Sequence, residues 1–319
     1  MAKPTNSQII AMLNDDLKGE HAAIIQYLRH AYALGEGDLA AEIEAIAREE
    51  MYHYMYLSDA IVELGGKPTV ERGKLDLAGN EPPAWMERNV LAEQDAIDLY
   101  EKHLRVIEDP TIIRTLQRIV SDERSHKADF TKFVGKLKAA AAGESDLPPE
   151  AAPPPPNKRT VEILNSGVQH EYTVIVQYLY HSFTTPHRNI GEELHWQAVN
   201  EMQHMGWLSE EVAGLGVEPD MEYAGVDVSE NTTDMLKADI AAERAVTMDY
   251  NAQIEELKDP KVKTLLARIR DHEIFHDQLF SDMLQELETD EPAAPPDASE
   301  GADAGSGPKI PTIGSLLGS

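Results

Sequence analysis

Four pairs of glutamate and histidine, each separated by three positions, are the side chains of this sequence best suited to chemistry. Residues three apart on an α-helix lie on one face, so each pair can direct a carboxylate oxygen and an imidazole nitrogen at one point. One such pair alone is a weak indication of a metal site. The pairs are Glu50 with His53, Glu123 with His126, Glu201 with His204, and Glu273 with His276.

A fifth pair of the same spacing, Glu192 with His195, serves as an internal comparison. It has no counterpart in the first half of the chain, where Ala41 replaces the glutamate. Glu192 also lies nine positions before Glu201, about half a turn away from the face that carries the ligands. We therefore predict that Glu192 lies on the surface.

Four further glutamates are each followed seven positions later by a tyrosine, and seven residues are nearly two helical turns, so the two side chains share a face. These are Glu20 with Tyr27, Glu93 with Tyr100, Glu171 with Tyr178, and Glu243 with Tyr250. One glutamate from each of two helices, with one Glu-x-x-His from each of two others, is the ligand set of di-iron carboxylate bundles. The predicted ligands are Glu20, Glu50, His53, Glu93, Glu123 and His126, and then Glu171, Glu201, His204, Glu243, Glu273 and His276.

Carboxylates and imidazoles suit hard to borderline divalent ions, with iron preferred and manganese as the alternative. The chain contains no cysteine, which excludes disulfides, iron–sulfur clusters and thiolate zinc sites. An empty site would bury four like charges and raise some of their pKa values. Metal binding should therefore stabilise the fold and release protons.

The two ligand sets belong to an internal duplication. The segment "IIQYLRHAY" at 24–32 returns as "IVQYLYHSF" at 175–183, and "DPTIIRTLQRI" from Asp109 returns as "DPKVKTLLARI" from Asp259. Each repeat reads as four amphipathic helices, and no stretch alternates as a strand would. The fold class is therefore predicted to be all-α: two tandem ferritin-like four-helix bundles joined by a Pro-rich linker, with a disordered C-terminal tail.

In the first repeat, helices are predicted over 7–34 with Ser7 as the N-cap, over 38–64, over 84–107, and from just after Pro110. The second repeat should end near Glu288. The predicted domains are bundle 1 at 1–142, linker 143–157 around four consecutive prolines, bundle 2 at 158–288, a disordered acidic linker at 289–308, and a terminal peptide at 309–319.

The charge and the hydropathy of the chain limit the partners and the cellular location that we expect. A formal charge of −29 argues against nucleic acid, because phosphate binding requires a basic patch. No run approaches the roughly 18 apolar residues of a membrane span, and the N-terminus lacks a secretory pattern. The expected location is the cytoplasm.

Both repeats resemble bacterioferritin, as seen in "NSQIIAMLNDDLKGEHAAIIQYL" and "REEMYHYMYLSDAIVELGGKP". The resemblance includes all six ligand positions of each repeat and implies a ferroxidase centre, in which two Fe(II) ions are oxidised by O₂ or peroxide. It also implies that Tyr27 and Tyr178 lie beside the centres and donate an electron during oxygen reduction. The alternative for these tyrosines is plain core packing.

Two departures from that family stand out. The residue before the second-helix ligand is Glu49 in one repeat and Asn200 in the other, so the two sites are expected to differ in rate or metal affinity. The repeats also stop before the short fifth helix that helps to close a bacterioferritin cage, so a closed cage is not expected.

The resemblance further implies that Met51 and Met202 ligate haem b between two bundles, paired within the chain as a pseudo-dimer or between chains of a homo-oligomer. An adaptable apolar contact is the alternative.

The chain ends in "PTIGSLLGS", which resembles the cargo-loading peptides that dock enzymes inside encapsulin shells. Its docking residues would be Ile310, Ile313, Gly314, Ser315, Leu316 and Leu317. The alternative is a tail that folds back on its own bundle. The sequence as a whole predicts a ferroxidase carried in an encapsulin nanocompartment. The competing interpretations are a peroxide-consuming di-iron or di-manganese enzyme and a non-catalytic haem- or iron-binding protein.

Overall fold

The chain folds into helices and connecting loops, and its computed structural model describes residues 3–35, 37–143 and 156–290. Within those ranges there is no strand, which confirms the all-α prediction. The helices are α1 Asn6–Leu34, α2 Asp38–Glu63, α3 Pro82–Leu104, α4 Pro110–Gly143, α5 Lys158–Thr184, α6 Arg188–Gly214, α7 Thr232–Glu256 and α8 Pro260–Asp290. Residues 144–155 of the predicted linker, and 291–319 with the predicted docking peptide, lie outside the described residues.

Each half of the chain is a bundle of four helices. In the first half α1 packs along α2 and α3 along α4, and these two pairs meet through contacts of α1 with α3 and of α2 with α4. Helices α5 to α8 repeat the arrangement. Among the described helices, none combines the length and the apolar character needed to cross a membrane.

The start of α1 and both ends of α3 differ from the prediction. Ser7 is not the N-cap of α1: Thr5 is, because its side chain accepts a hydrogen bond from the Gln8 backbone N–H and Gln8 bonds back to the Thr5 backbone, forming a capping box. Helix α3 begins at Pro82 rather than at residue 84 and ends at Leu104 rather than at 107. Prolines already have helical φ and need no N–H in the first turn, so both fit inside the helix.

The two bundles of one chain pack against each other. Helix α1 contacts α6, and α2 contacts α5. One cluster of buried apolar side chains runs through both bundles, from Ile9 and Leu57 in the first to Val168 and Leu208 in the second. Of the two pairings that the sequence left open, the one within the chain is therefore present.

Polar contacts at this junction follow the internal repeat without being identical. Arg72 donates from its guanidinium to the Met221 carbonyl oxygen at 2.9 Å, and Tyr223, which occupies the equivalent place in the second repeat, donates to the Val70 carbonyl oxygen at 3.0 Å. At the centre of the junction the buried Tyr172 hydroxyl lies 2.7 Å from Nε2 of His21. The neighbours of these two residues in sequence are Glu20 and Glu171, so the junction lies close to both ligand sets.

Candidate metal centres

The six predicted ligands of the first repeat converge inside the first bundle, and all six are buried. Their ligand atoms form two overlapping sets, each with its atoms within 4.8 Å of one another. One set is Glu20, Glu50, His53 and Glu123, and the other is Glu50, Glu93, Glu123 and His126. Because Glu50 and Glu123 belong to both sets, the geometry suits two adjacent ions that share two carboxylates.

The distances show how the shared carboxylates are oriented. Glu50 places Oε2 at 2.7 Å from His53 Nδ1 and Oε1 at 2.9 Å from His126 Nδ1. Glu123 places Oε1 at 3.1 Å from His53 Nδ1 and Oε2 at 3.5 Å from His126 Nδ1. Glu20 lies 3.6 Å from the first imidazole and Glu93 3.9 Å from the second. Each of the shared carboxylates thus directs one oxygen to each ion position.

The second bundle repeats this arrangement closely. Glu201 lies at 2.7 Å from Nδ1 of both His204 and His276, and Glu273 lies at 3.1 Å and 3.2 Å from the same two atoms. Glu171 and Glu243 occupy the outer places, each 3.7 Å from one imidazole. The structure therefore brings together all twelve predicted ligands as two groups of six, one per bundle.

The polar atoms in these centres fit metal ions better than they fit one another. Several are buried without a hydrogen-bond partner among the described residues: Glu50 Oε1, Glu123 Oε1, His126 Nδ1, Glu171 Oε2, Glu201 Oε1, Glu243 Oε2, Glu273 Oε1 and His276 Nδ1. His126 Nδ1 and Glu50 Oε1 approach to 2.9 Å but lack the alignment of a hydrogen bond. Buried polar groups are normally paired, so these unpartnered atoms are explained if they bind cations.

In the metal-free centres, burial and neighbouring charges shift the pKa values of several ligands, as predicted for carboxylates buried together. Burial raises the pKa of Glu20 and of Glu93 well above the ordinary range, and neighbouring carboxylates add to the shift. Burial raises the pKa of Glu243 to about 8. Burial alone would lower the pKa of His126, but the carboxylates of Glu123 and Glu50 outweigh it and raise the pKa to about 11. Protons therefore occupy the places where cations would bind.

The tyrosines hydrogen-bond across the bundle and not along their own helices. Tyr27 on α1 donates to Glu93 Oε1 on α3 at 2.6 Å, and Tyr100 on α3 donates to Glu20 on α1. Seven residues span about 10 Å of helix, so a tyrosine cannot reach the glutamate that shares its own face.

The second bundle shows the same exchange, with Tyr178 donating to Glu243 and Tyr250 to Glu171. Tyr27 and Tyr178 thus lie against predicted ligands. So do Tyr100 and Tyr250, for which the sequence predicted no role.

Further residues lie against the outer nitrogens of the metal-facing imidazoles, and only one of them, Glu49, was singled out in the sequence. His126 Nε2 donates to Glu49 at 2.8 Å, and His53 Nε2 faces Asp122 at 3.4 Å. In the second bundle, His204 Nε2 lies 2.8 Å from Nδ1 of His272. Asp122 and His272 were missed in the sequence, although each immediately precedes a predicted ligand on the same helix, as Glu49 does.

A cavity of about 270 Å³ adjoins the first centre between α1 and α3. Its lining includes the buried Glu20, Tyr27 and Glu93 as well as Leu91, whose side chain is exposed. The cavity therefore connects the surface with one side of the candidate centre.

Glu192, Met51 and Met202 are not among the groups of residues that could hold a metal ion. Glu192 is exposed and pairs with Arg188, which confirms its assignment to the surface. Met51 and Met202 are partly buried and pack against the apolar cluster that runs through both bundles.

Comparison with known proteins gives one family for both halves. The model of the ferritin-like domain matches residues 10–140 and again residues 161–289. The bacterioferritin of Desulfovibrio desulfuricans is 32% identical over 138 residues, which are 41% of this chain and 77% of that protein. Bacterioferritin BfrA of Mycobacterium tuberculosis is 30% identical over 125 residues, covering 37% of this chain and 78% of its own length. The X-ray structure of the Desulfovibrio desulfuricans bacterioferritin aligns with 46% of this chain and 95% of its own, at 28% identity and a TM-score of 0.40.

Proposed function

The chain belongs to the ferritin-like family, with one domain in each half, and from that premise we propose that it is a ferroxidase with two di-iron centres. The observation that carries the proposal is the arrangement of six buried ligands in each bundle, with two carboxylates shared between two adjacent ion positions. Four carboxylates balance the four positive charges of two Fe(II) ions. This donor set also suits iron or manganese by its chemistry.

Fe(II) is the substrate of the proposed reaction, and O₂ or hydrogen peroxide is the oxidant. Two Fe(II) ions lose one electron each. With peroxide, the two electrons and two protons break the O–O bond and give two waters; with O₂, they give hydrogen peroxide. Glu20, Glu93, His53 and His126 would each hold one ion of the first centre, and Glu50 and Glu123 would hold both.

The tyrosines have two parts in this proposal. Each fixes the orientation of an outer carboxylate through its hydroxyl, as Tyr27 does for Glu93. Where one Fe(II) of a centre has already been oxidised, Tyr27 or Tyr178 would supply the second electron in its place, together with the phenolic proton, leaving a neutral tyrosyl radical. Their burial beside the ligands supports this assignment.

The direct test is an anaerobic Fe(II) titration of metal-free protein, followed by an oxygen pulse and stopped-flow absorbance. We expect a break near ~4 Fe(II) per chain and oxidation much faster than without protein. Glu50→Ala should remove only the first centre and Glu201→Ala only the second, lowering the break to ~2. Metal binding without fast oxidation would overturn the ferroxidase assignment, and rapid O₂ evolution from peroxide with manganese bound would favour the peroxide-consuming alternative.

We further propose that the enzyme is cargo of an encapsulin shell in the cytoplasm. The support is the resemblance of "PTIGSLLGS" to cargo-loading peptides, together with a pattern of apolar residues and glycines that suits docking into shallow apolar pockets. Co-expression with an encapsulin shell protein should give co-purification of the full chain. Deletion of 309–319 should abolish it, as should Leu316→Asp with Leu317→Asp. Equal loading of the deleted chain would refute the proposal.

We also propose that Met51 and Met202 ligate haem b. Both methionines pack against the apolar cluster shared by the two bundles, which suits a flat apolar cofactor. Protein produced with ample haem should then show a Soret band that Met51→Ala or Met202→Ala removes. A colourless wild-type protein would end the haem proposal without affecting the ferroxidase proposal.

A further inference from the structure

The ligands of the two centres match closely, but the residues that lie behind their imidazoles do not. Each metal-facing imidazole directs Nδ1 inward and Nε2 outward. In the first bundle both outward nitrogens face carboxylates: His126 faces Glu49 at 2.8 Å and His53 faces Asp122 at 3.4 Å.

Residues without a carboxylate stand at the equivalent positions of the second bundle. His272 replaces Asp122, and its Nδ1 lies 2.8 Å from His204 Nε2. Asn200 replaces Glu49, and its amide donates to Gln197 at 2.8 Å. Two carboxylates that border the first centre are therefore absent from the second.

An arginine beside these positions does not cancel the difference. Arg118 lies 3.8 Å from Asp122 and stacks over Tyr56 at 4.8 Å. In the second bundle Arg268 occupies the equivalent place and stacks over the ring of Trp207 at 4.0 Å. Both centres therefore have this arginine, and only the first has the two carboxylates.

We propose that the two centres are unequal in metal affinity and that Glu49 and Asp122 make the first centre the tighter one. A carboxylate that accepts the outer N–H of a ligating imidazole fixes its tautomer and increases the basicity of the nitrogen that binds the metal. Two additional negative charges also attract the divalent ions directly. An imidazole acceptor such as His272, which carries no negative charge, provides less of both effects.

Removing one outer partner of this kind typically weakens metal binding by about 10- to 100-fold. The first two equivalents of a divalent ion should therefore enter the first centre before the second centre fills. This inference rests on the proposed function only in that both centres bind metal ions, and it makes no use of turnover.

The test measures binding of Co(II) to the metal-free full chain, by d–d absorption in competition with a chelator. Glu201→Ala leaves only the first centre and Glu50→Ala leaves only the second, so the two affinities can be measured separately. We expect the first centre to bind about 10- to 100-fold more tightly.

Two exchanges of residues then test the cause. Glu49→Asn with Asp122→His should weaken the first centre towards the second, and Asn200→Glu with His272→Asp should strengthen the second.

The matched control is Glu42→Gln with Asp129→Asn. It removes two carboxylates from α2 and α4, seven residues from Glu49 and Asp122 and hence about 10 Å along the same helix faces. These two carboxylates pair with lysines, not with imidazoles. The control should leave Co(II) affinity almost unchanged.

Equal affinities in the two single-centre variants would overturn the proposal, as would exchanges that shift affinity no more than the control does. Circular dichroism of each variant confirms that it folds, and the exchanges need no ligand to be removed. If the affinities differ as expected while Fe(II) oxidation is slow, the ferroxidase proposal fails and this inference stands. If neither centre binds Co(II), both fail.

Discussion

The imidazoles and some of the buried carboxylates of each centre favour binding protons when no metal is bound. Burial and mutual repulsion raise the pKa of Glu93 and of Glu243, while nearby carboxylates raise that of His126. Glu171 shifts the other way: burial alone would raise its pKa, but the imidazole of His204 lowers it. Metal ions would replace these protons, so loading should both acidify the medium and stabilise the fold.

The first prediction concerns the stability of the metal-free protein against pH. A group whose pKa is higher in the folded than in the unfolded protein favours folding below its unfolded pKa, and this contribution is lost as pH rises through the folded pKa. For Glu243 these limits are 4.5 and about 8, and for His126 they are 6.5 and about 11. The free energy of unfolding should therefore fall as pH rises through this range.

Urea unfolding in the presence of a chelator, at several pH values, measures this effect. Glu243→Gln should show a smaller fall between pH 4.5 and about 8, because the amide has no proton to lose. Metal-loaded protein should not show the fall. An unfolding free energy that rises with pH across this window would contradict the prediction.

A second prediction at this scale distinguishes the two kinds of tyrosine. If Tyr27 and Tyr178 supply electrons, Tyr27→Phe with Tyr178→Phe should remove the tyrosyl radical signal detected by electron paramagnetic resonance after an oxygen pulse. Tyr100→Phe with Tyr250→Phe is the matched control, because these hydroxyls also donate to outer ligands. Loss of the radical in the control alone would reverse the assignment, and loss in neither would leave both pairs with an orienting role only.

At the scale of elements, the segment between α2 and α3 is held against α1 by backbone contacts. The Gly73 N–H donates to the Lys18 carbonyl oxygen at 2.9 Å, and a Cβ at Gly73 would come within 2.8 Å of that same oxygen. In the second repeat the equivalent residue is Ala224, whose N–H donates to the Thr173 hydroxyl at 2.9 Å. The hydroxyl spaces the segment from the helix, so a side chain fits there.

Gly73→Ala should therefore destabilise the first bundle by about 1–3 kcal/mol, the usual cost of overpacking. Because the Lys18 oxygen belongs to a helix backbone, it cannot move aside cheaply. Urea unfolding measures the loss, and Ala224→Gly is the control, for which no steric penalty exists. A Gly73→Ala variant as stable as wild type would show that the segment moves freely over α1.

At the scale of the whole molecule, the two bundles form an unequal pair. Arg72 crosses the junction to the Met221 carbonyl and to both carboxylate oxygens of Glu222 at 2.9 Å and 2.8 Å, with its side chain only 12% exposed. The equivalent residue, Tyr223, makes a single hydrogen bond in return. Arg29 likewise pairs across the junction with Glu218 at 2.7 Å. A pair of identical first bundles would lack the acidic partner of Arg29, because Lys67 occupies the place of Glu218 in the first repeat.

Arg72→Ala should thus weaken the junction by about 2 kcal/mol or more, since a mostly buried charged donor is lost from its acceptors. A full chain with a protease site placed within 144–155 allows the test. After cleavage, the wild-type halves should co-elute in size-exclusion chromatography at concentrations where the Arg72→Ala halves separate. Lys136→Ala, on α4 and paired with Glu42 of the same bundle, is the control. Co-elution of the variant at every dilution would show that the apolar cluster alone holds the halves.

The sequence by itself determined the fold class, the duplication and all twelve candidate ligands, because residue spacing on a helix is a local property that the periodicity of one chain already contains. The exposure of Glu192 followed from the same geometry. The sequence did not determine the start of α1, since both Thr5 and Ser7 can cap a helix and only the hydrogen bonds decide between them.

The tertiary structure decided which helix each side chain reaches. Tyr27 bonds to Glu93 rather than to Glu20, and His53 meets Asp122 while His204 meets His272. The packing of α1 on α6 and of α2 on α5 was likewise decided only by the tertiary structure. These contacts depend on the register and rotation of one helix against another, which are set by the packing of side chains distant in sequence and are therefore not encoded in any single segment.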